Sequence, residues 1–397
     1  MKIVLWLVIT ITTNSLAHAA EIRMLEKYNV GGYIGIGPTK PYQLKAHKNP
    51  RPLPYANDEE FASRGNRLTA GFAKAYMEKF PATTGMLLID RGKIVFEAYQ
   101  GQGDPTREFF SMSIAKSMTS LAVGKAVCQG ALKSLDIKAG DLIPEIKANR
   151  YGQSSVRQLL MMSSGAYLSV RAGQPIFTGG LGRRHKTGKP YKGLAWPMRL
   201  GQISIGDILW GQGWEKTENK NHAEPGQVFV YKAGDTLALG QIIEKITGET
   251  LAGYFDKHIW QAVRGEASGH WETDIEGSTI AQSGFQVRLR DWGRIAVWLL
   301  EQVKQPGCFG DYLRQATTTQ IKTSGIGGTA KTPFKGYGYQ WWTDHRNAPG
   351  FWGRGYAGQE LAINPKTKKV LIKFGYRIYS GVTSGTSDLY RNWHKSN

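Results

Sequence analysis

Two hairpin patterns bracket the chain. Residues 86–89 and 93–99 are short apolar-rich runs separated by Asp90-Arg91-Gly92. Glycine tolerates positive φ, so this spacing predicts a tight antiparallel turn. Towards the end, residues 361–363 and 370–376 flank Asn364-Pro365-Lys366 and predict a second hairpin. The aromatic-rich run 337–344 reads as a further strand.

Between these runs the pattern turns helical. Ala115, Met118, Leu121, Ala122 and Val127 recur at spacings of three to five, as on one face of a buried helix over 113–128. Residues 130–170 read as short helices, with Ser154-Ser155 capping the run 156–162. Residues 237–246 form another helix that stops near Gly248. Residues 172–224, rich in Gly, Lys and Trp with weak periodicity, read as long loops or an inserted lid. Residues 21–65, rich in Pro, Gly and Tyr, read as an extended arm.

Strands at both ends with helices between give an α+β order rather than the alternation of a parallel sheet. The expected architecture is an antiparallel sheet flanked by helices, built from both ends of one unit over 66–397. An α-rich lobe is inserted at about 126–245.

The first twenty residues stand apart. Lys2 precedes an apolar run over 3–11, then a polar patch, then Ala17-His18-Ala19-Ala20. That is the order of a secretory signal, and the run is too short for a permanent bilayer anchor. The expectation is a periplasmic or secreted chain after cleavage of 1–20, with no transmembrane anchor. Cys128 and Cys308 are the only cysteines. An oxidising compartment permits them to pair, but sequence alone leaves the bond open. They are too few for a structural zinc site, and no His-Glu-x-x-His or other His/Cys cluster implies a metal.

Of 397 residues, 41% are apolar and 21% charged, ordinary globular proportions. The formal net charge is +20. With the cations spread along the chain, apart from Arg183-Arg184-His185-Lys186, a solvated basic surface is the first reading. Loose association with anionic envelope polymers is the second. No helix-turn-helix, zinc-finger or RNA-binding signature supports nucleic acid.

The candidate chemistry centres on Ser113 and Lys116. A Ser three residues before a Lys is weak evidence alone, since a chain this long holds roughly one or two by chance. Here it opens a helix directly after Phe109-Phe110, and positions i and i+3 share a face. Lys116 therefore reaches Ser113 Oγ. A serine hydroxyl needs a base to become a nucleophile, and a buried lysine can serve as one.

The blocks around this pair resemble the serine β-lactamase/penicillin-binding-protein superfamily. The likeness is to the branch of class C β-lactamases, β-lactamase-like esterases and 6-aminohexanoate-dimer hydrolases. In order they are Phe110-Ser111-Met112-Ser113-Ile114-Ala115-Lys116, Leu135-Asp136-Ile137 through Asp141-Leu142-Ile143-Pro144-Glu145, and Val156-Arg157-Gln158-Leu159-Leu160 through Ser163-Ser164-Gly165. Phe229-Val230-Tyr231-Lys232-Ala233-Gly234-Asp235 and Ser283-Gly284-Phe285 follow, then Arg290-Asp291-Trp292-Gly293-Arg294. Tyr337 through Trp342 and Gly353-Arg354-Gly355-Tyr356-Ala357-Gly358-Gln359 complete the set.

The resemblance implies that Ser113 is acylated, that Lys116 is its partner, and that Tyr231 shares the proton transfers. The third family motif, a Lys/His-Thr/Ser-Gly on a strand facing the nucleophile, has decoys at Lys186-Thr187-Gly188 and Lys322-Thr323-Ser324-Gly325. Order and strand context favour Gly353-Arg354-Gly355. The backbone N–H groups of Ser113 and Tyr356 would then form the oxyanion hole; a shifted register would use Gln359. Arg354 and Gly355 become candidate substrate contacts.

Two departures stand out. Ala233 replaces the asparagine of Tyr-x-Asn, and Gly353 replaces the motif's cation. Both argue for small-molecule esters or linear amides rather than β-lactams. A β-lactamase, a D-alanyl carboxypeptidase or aminopeptidase, and a non-catalytic binder of cell-wall fragments are the alternatives. No cofactor is implied. No Gly-x-Ser-x-Gly elbow exists, and His270 and His345 read as surface or turn residues rather than triad members.

Overall fold

The computed structural model describes residues 39–63, 65–166, 168–171, 174–177, 198, 201–210, 224–323, 332–376 and 383–395. The segment 1–20, the basic knot at 183–186 and most of the expected lid lie outside them.

The strands, in chain order, are β1 (Tyr42–Leu44), β2 (Thr83–Asp90), β3 (Lys93–Tyr99), β4 (Glu108–Phe110), β5 (Leu168–Arg171), β6 (Gln174–Phe177) and β7 (Gly269–Trp271). Then come β8 (Phe285–Arg288), β9 (Ile321–Lys322), β10 (Phe334–Tyr337), β11 (Trp342–His345), β12 (Phe351–Gly355), β13 (Gln359–Asn364) and β14 (Lys369–Gly375). An eight-stranded sheet has the order β3-β2-β14-β13-β12-β11-β10-β9, and its pairs are antiparallel. Both ends of the chain supply it, as expected. A smaller sheet, β1-β7-β8-β4, ties residues 42–44 to the body and leads into the nucleophile segment. The remaining two strands, β5 and β6, pair as a separate hairpin.

The two hairpins form for the reasons their sequences give. Arg91 and Gly92 both take positive φ, +50° and +84°, the combination that matches the twist of a two-residue hairpin. The period-two alternation of β2 buries both faces. Leu87 and Ile89 join a core with Trp292, Ile295 and Leu299 of the helix Leu289–Gln302. Met86 and Leu88 face Ala73, Tyr76 and Met77 of the helix Asn66–Lys79, with Tyr390 and Trp393 of the helix Thr383–Lys395.

The helix Ala115–Cys128 starts after a 3-10 turn, Met112–Ile114, and is buried on nearly every side rather than along one face. Its apolar spacing was irregular because helices surround it. Ser155 caps the helix Val156–Leu160 with a reciprocal capping box to Gln158. The helix Ala233–Thr247 begins four residues before its expected start and ends on Gly248 in the left-handed conformation.

The expected single strand over 337–344 is broken. Gln340 takes φ +64°, and a Cβ on Gly338 would lie 2.0 Å from the Ala316 carbonyl oxygen. The chain turns there to pack against the helices instead of running straight. Cys128 and Cys308 form a disulfide, with Cα atoms 5.6 Å apart. It joins the far end of the nucleophile helix to the helix Cys308–Ala316.

Candidate active site

Strand β4 delivers the chain to the nucleophile. Ser111 N donates to Phe285 O at 2.9 Å, which extends the pairing of β4 with β8. Met112 then takes φ +46°, a left-handed conformation that costs a non-glycine residue about 1–2 kcal/mol. This bend directs the chain into the turn carrying Ser113, directly ahead of the helix Ala115–Cys128.

Lys116 is 3% exposed. Its Nζ donates to Ser113 Oγ at 3.0 Å and to the Gln282 carbonyl at 3.1 Å. The Tyr231 phenol lies within the influence of the Ser113 hydroxyl, which favours its ionised form. Lys116 Nζ stands 5.2 Å from the centre of the Tyr231 ring. The three side chains singled out in the sequence therefore meet at one point, although 115 residues separate Lys116 from Tyr231 in the numbering.

Tyr231 is held on several sides. Val230 N donates to Met162 O at 2.8 Å, fixing the strand-like segment to the Ser163-Ser164-Gly165 block. The Tyr231 ring stacks on Trp342 at 5.2 Å and meets Tyr337 edge-on at 6.2 Å. Burial pushes the phenol up to about 12, against the opposing effects of the Ser113 hydrogen bond and the Arg354 charge. It is neutral near pH 7.

Next to it, Lys232 pairs with Asp235 at 3.2 Å, both side chains buried. Asp235 also accepts from Ser164 Oγ at 2.6 Å and Ser164 N at 3.3 Å. Burial drives Lys232 downward and Asp235 upward from their ordinary values, so each needs the other to stay charged.

Strand β12 lies flush against the nucleophile turn. A Cβ on Gly355 would lie 2.4 Å from the Ser111 carbonyl oxygen, and one on Gly353 would lie 2.9 Å from Ile114 Cγ2. The chain then makes the turn Tyr356–Gly358, with Ala357 at φ +64°, before entering β13. Tyr356 thus begins a turn alongside the segment that carries Ser113. Arg354 projects to the other side of β12. Its guanidinium carbon sits 5.3 Å from the Phe334 ring centre, and Nη2 lies 3.7 Å from Glu360 Oε1.

The decoys separate clearly. Lys322 closes β9 at the outer edge of the large sheet, three strands from β12, and Thr323 Oγ1 donates to Phe334 O. Ser324-Gly325 and Lys186-Thr187-Gly188 lie outside the described residues.

His345 does mark a turn, its Nδ1 accepting from Asn347 N and Ala348 N at 3.0 and 2.9 Å. His270 does not fit its expected surface or turn position. It is a strand residue with Nδ1 2.8 Å from Glu108 Oε1, the two side chains 16% and 13% exposed. The pairing of β7 with β8 and of β8 with β4 brings the two together.

Sequence reasoning missed the Gln282 carbonyl, which is a main-chain contact and leaves no residue signature. It also missed the stacking of Trp342 on Tyr231. That tryptophan stood in a matching block, but nothing in its spacing pointed to Tyr231.

A mixed fold with an antiparallel sheet, flanking helices and a Ser-x-x-Lys turn at their junction is of the β-lactamase/transpeptidase type. The chain belongs to the Beta-lactamase family, whose profile matches residues 73–374. It is 22% identical over 325 residues to the 6-aminohexanoate-dimer hydrolase of Paenarthrobacter ureafaciens, covering 79% of this chain and 75% of that one. A Bacillus anthracis structure named for 6-aminohexanoate-dimer hydrolase superimposes with a TM-score of 0.65 at 21% identity, over 90% and 91% of the two chains. A D-stereospecific amidohydrolase from a Streptomyces species superimposes with a TM-score of 0.59 at 15% identity, over 81% and 98%.

Proposed function

We propose that the chain is an exported serine hydrolase that cleaves a linear ester or amide through an acyl-enzyme on Ser113. The observation that carries this reading is the contact of Ser113 Oγ with Lys116 Nζ at 3.0 Å, with the Tyr231 ring centred 5.2 Å from the same Nζ. In acylation, Ser113 Oγ attacks the carbonyl carbon and its proton passes to Lys116 Nζ, acting as the base. The carbonyl π electrons move onto oxygen, where the N–H groups of Ser113 and Tyr356 stabilise the oxyanion. Collapse expels the alcohol or amine, which takes a proton through Tyr231, itself re-protonated from Lys116. Water then attacks the acyl carbon, loses its proton to the same pair, and releases the acid with Ser113 restored.

The neutral phenol supports a relay role for Tyr231 rather than a standing phenolate base. Ala233 and Gly353 leave out two groups that hold β-lactams in the resembled family. The similar proteins named 6-aminohexanoate-dimer hydrolase and D-stereospecific amidohydrolase support the same substrate class. Export is supported by the order of residues 1–20 and by the Cys128–Cys308 disulfide, which persists in oxidising compartments. Among the described residues, no helix is long and apolar enough to cross a membrane.

Steady-state kinetics test the proposal with a p-nitrophenyl ester, a linear amide with a chromogenic leaving group, and nitrocefin. Turnover of the first two, lost in Ser113→Ala, is expected. Nitrocefin turnover exceeding both would assign the β-lactamase alternative instead.

A further inference from the structure

Gln359 is fully buried and spends its whole side chain on backbone. Nε2 donates to the Tyr356 carbonyl at 2.8 Å and to the Gly375 carbonyl at 2.6 Å. Oε1 accepts from Gly375 N at 3.0 Å. One side chain therefore fastens the turn Tyr356–Gly358 to the end of β14. That turn is not self-supporting. It interrupts the run from β12 to β13, and Ala357 occupies φ +64°, where a residue with a Cβ is strained. The Gln359 amide is a group that holds it.

We infer that Gln359 is a positioning residue for the oxyanion hole, setting the direction of the Tyr356 N–H through its grip on the same residue's carbonyl. This rests on the proposed role of Tyr356. Gly355 packs within contact of Ser111 and Met112, so the turn cannot translate towards the nucleophile. It can still tilt, and tilt changes where the first amide of the turn points. Hydrogen bonds weaken steeply with misalignment, and an oxyanion site works only if its donors are aimed before charge develops. The amide at position 359 supplies both donors and an acceptor in one plane. A carboxylate at this position would turn two donations into repulsions against carbonyl oxygens, and a thioether would make none of them.

The test compares Gln359→Met, Gln359→Glu and Tyr356→Pro with wild type on one reporter ester. It also measures inhibition by a boronic acid that forms a tetrahedral adduct on serine. Proline at 356 removes the N–H together with the exposed Tyr356 ring, and Tyr356→Ala, which keeps the N–H, controls for the ring. Gly355 holds ψ 155°, which suits the residue before proline, and proline is tolerated at the first position of a helical turn. Tyr356→Pro is expected to lose about 100–1000-fold in kcat. Gln359→Met is expected to lose about 10–100-fold in kcat with KM changed less than about 3-fold, and to weaken the boronic acid by the same factor as kcat. Gln359→Glu should be at least as impaired.

If Tyr356→Pro keeps wild-type kcat, the oxyanion role of Tyr356 fails and this inference falls with it. If Tyr356→Pro is impaired while Gln359→Met keeps its kcat and its boronate affinity, the positioning role alone is overturned. A drop in melting temperature of Gln359→Met without that kinetic split would assign Gln359 to stability only and overturn it equally.

Discussion

Reduction of the Cys128–Cys308 bond perturbs the molecule at one defined point. The two cysteines are 180 positions apart. In the chain-entropy account, a loop of that length restricts the unfolded chain by about 5 kcal/mol at 25 °C. Unfolding entropy near 2 cal/mol/K per residue gives roughly 0.8 kcal/mol/K for a chain of this size. The expected fall in Tm is therefore about 6–7 °C.

The bond joins the last residue of the helix Ala115–Cys128, whose first turn adjoins Ser113. Fifteen residues at 1.5 Å each put the cross-link about 20 Å from the nucleophile. Tyr312 still docks the two helices through its hydroxyl, which donates to the Ser120 carbonyl at 2.9 Å. Turnover well below Tm should consequently survive reduction. The assay is a pair of thermal melts, with and without a phosphine reductant, with thiol titration confirming two free thiols. Ester turnover is measured at 20 °C on both samples. An unchanged Tm with two titrated thiols would refute the loop-entropy reasoning. Loss of turnover at 20 °C with Tm intact would refute the independence of the helix's two ends.

Three further outcomes follow from particular contacts. Lys232→Met leaves Asp235 buried without its cation and should cost about 3–5 kcal/mol by chemical denaturation, with the double variant Lys232→Met/Asp235→Asn recovering part of the loss. Gly355→Ala adds a Cβ 2.4 Å from the Ser111 carbonyl oxygen at φ −123°, a conformation alanine adopts freely. Its steric push on the nucleophile turn should lower kcat at least about 10-fold, and an unchanged kcat would show that β12 can yield. Glu97 tests the acid limb of stability. Burial pushes its carboxyl up, but the Arg290 fork and hydrogen bonds from Tyr55 and Tyr99 outweigh this and hold it below the usual range. A depressed folded-state value stabilises above the unfolded value, near 4.3, and is lost as pH falls through the folded one. The stability gap between wild type and Glu97→Gln should therefore shrink from pH 6 to pH 3; a gap constant with pH would contradict it.

Both hairpins and the capped helix at Ser155 were legible because their signals are local. Gly92 supplies positive φ, Gly248 ends a helix, and Ser155 with Gln158 forms a capping box. The Ser113–Lys116 pair was legible for the same reason, being one turn apart. Tyr231 and the Gly353-Arg354-Gly355 strand needed the resemblance, since nothing in their spacing brings them to Ser113.

What stayed hidden depends on tertiary neighbours. The strand expected over 337–344 breaks because Gly338 must pass close to Ala316, which no pattern in that run reveals. The disulfide required that two helices distant in sequence pack side by side. Gln359 lay inside a matching block, but its bonds reach Gly375 through the β13–β14 pairing. His270 was misread because its partner, Glu108, comes from two strands away.

The central claim is that Ser113 is the residue acylated, with Lys116 and Tyr231 moving its proton. A fluorophosphonate probe followed by peptide mapping measures this directly. The account predicts one adduct per chain, located on Ser113, formed at least about 100-fold more slowly in Lys116→Ala and absent in Ser113→Ala. An adduct on another residue, or no adduct on the folded wild-type chain, would contradict it.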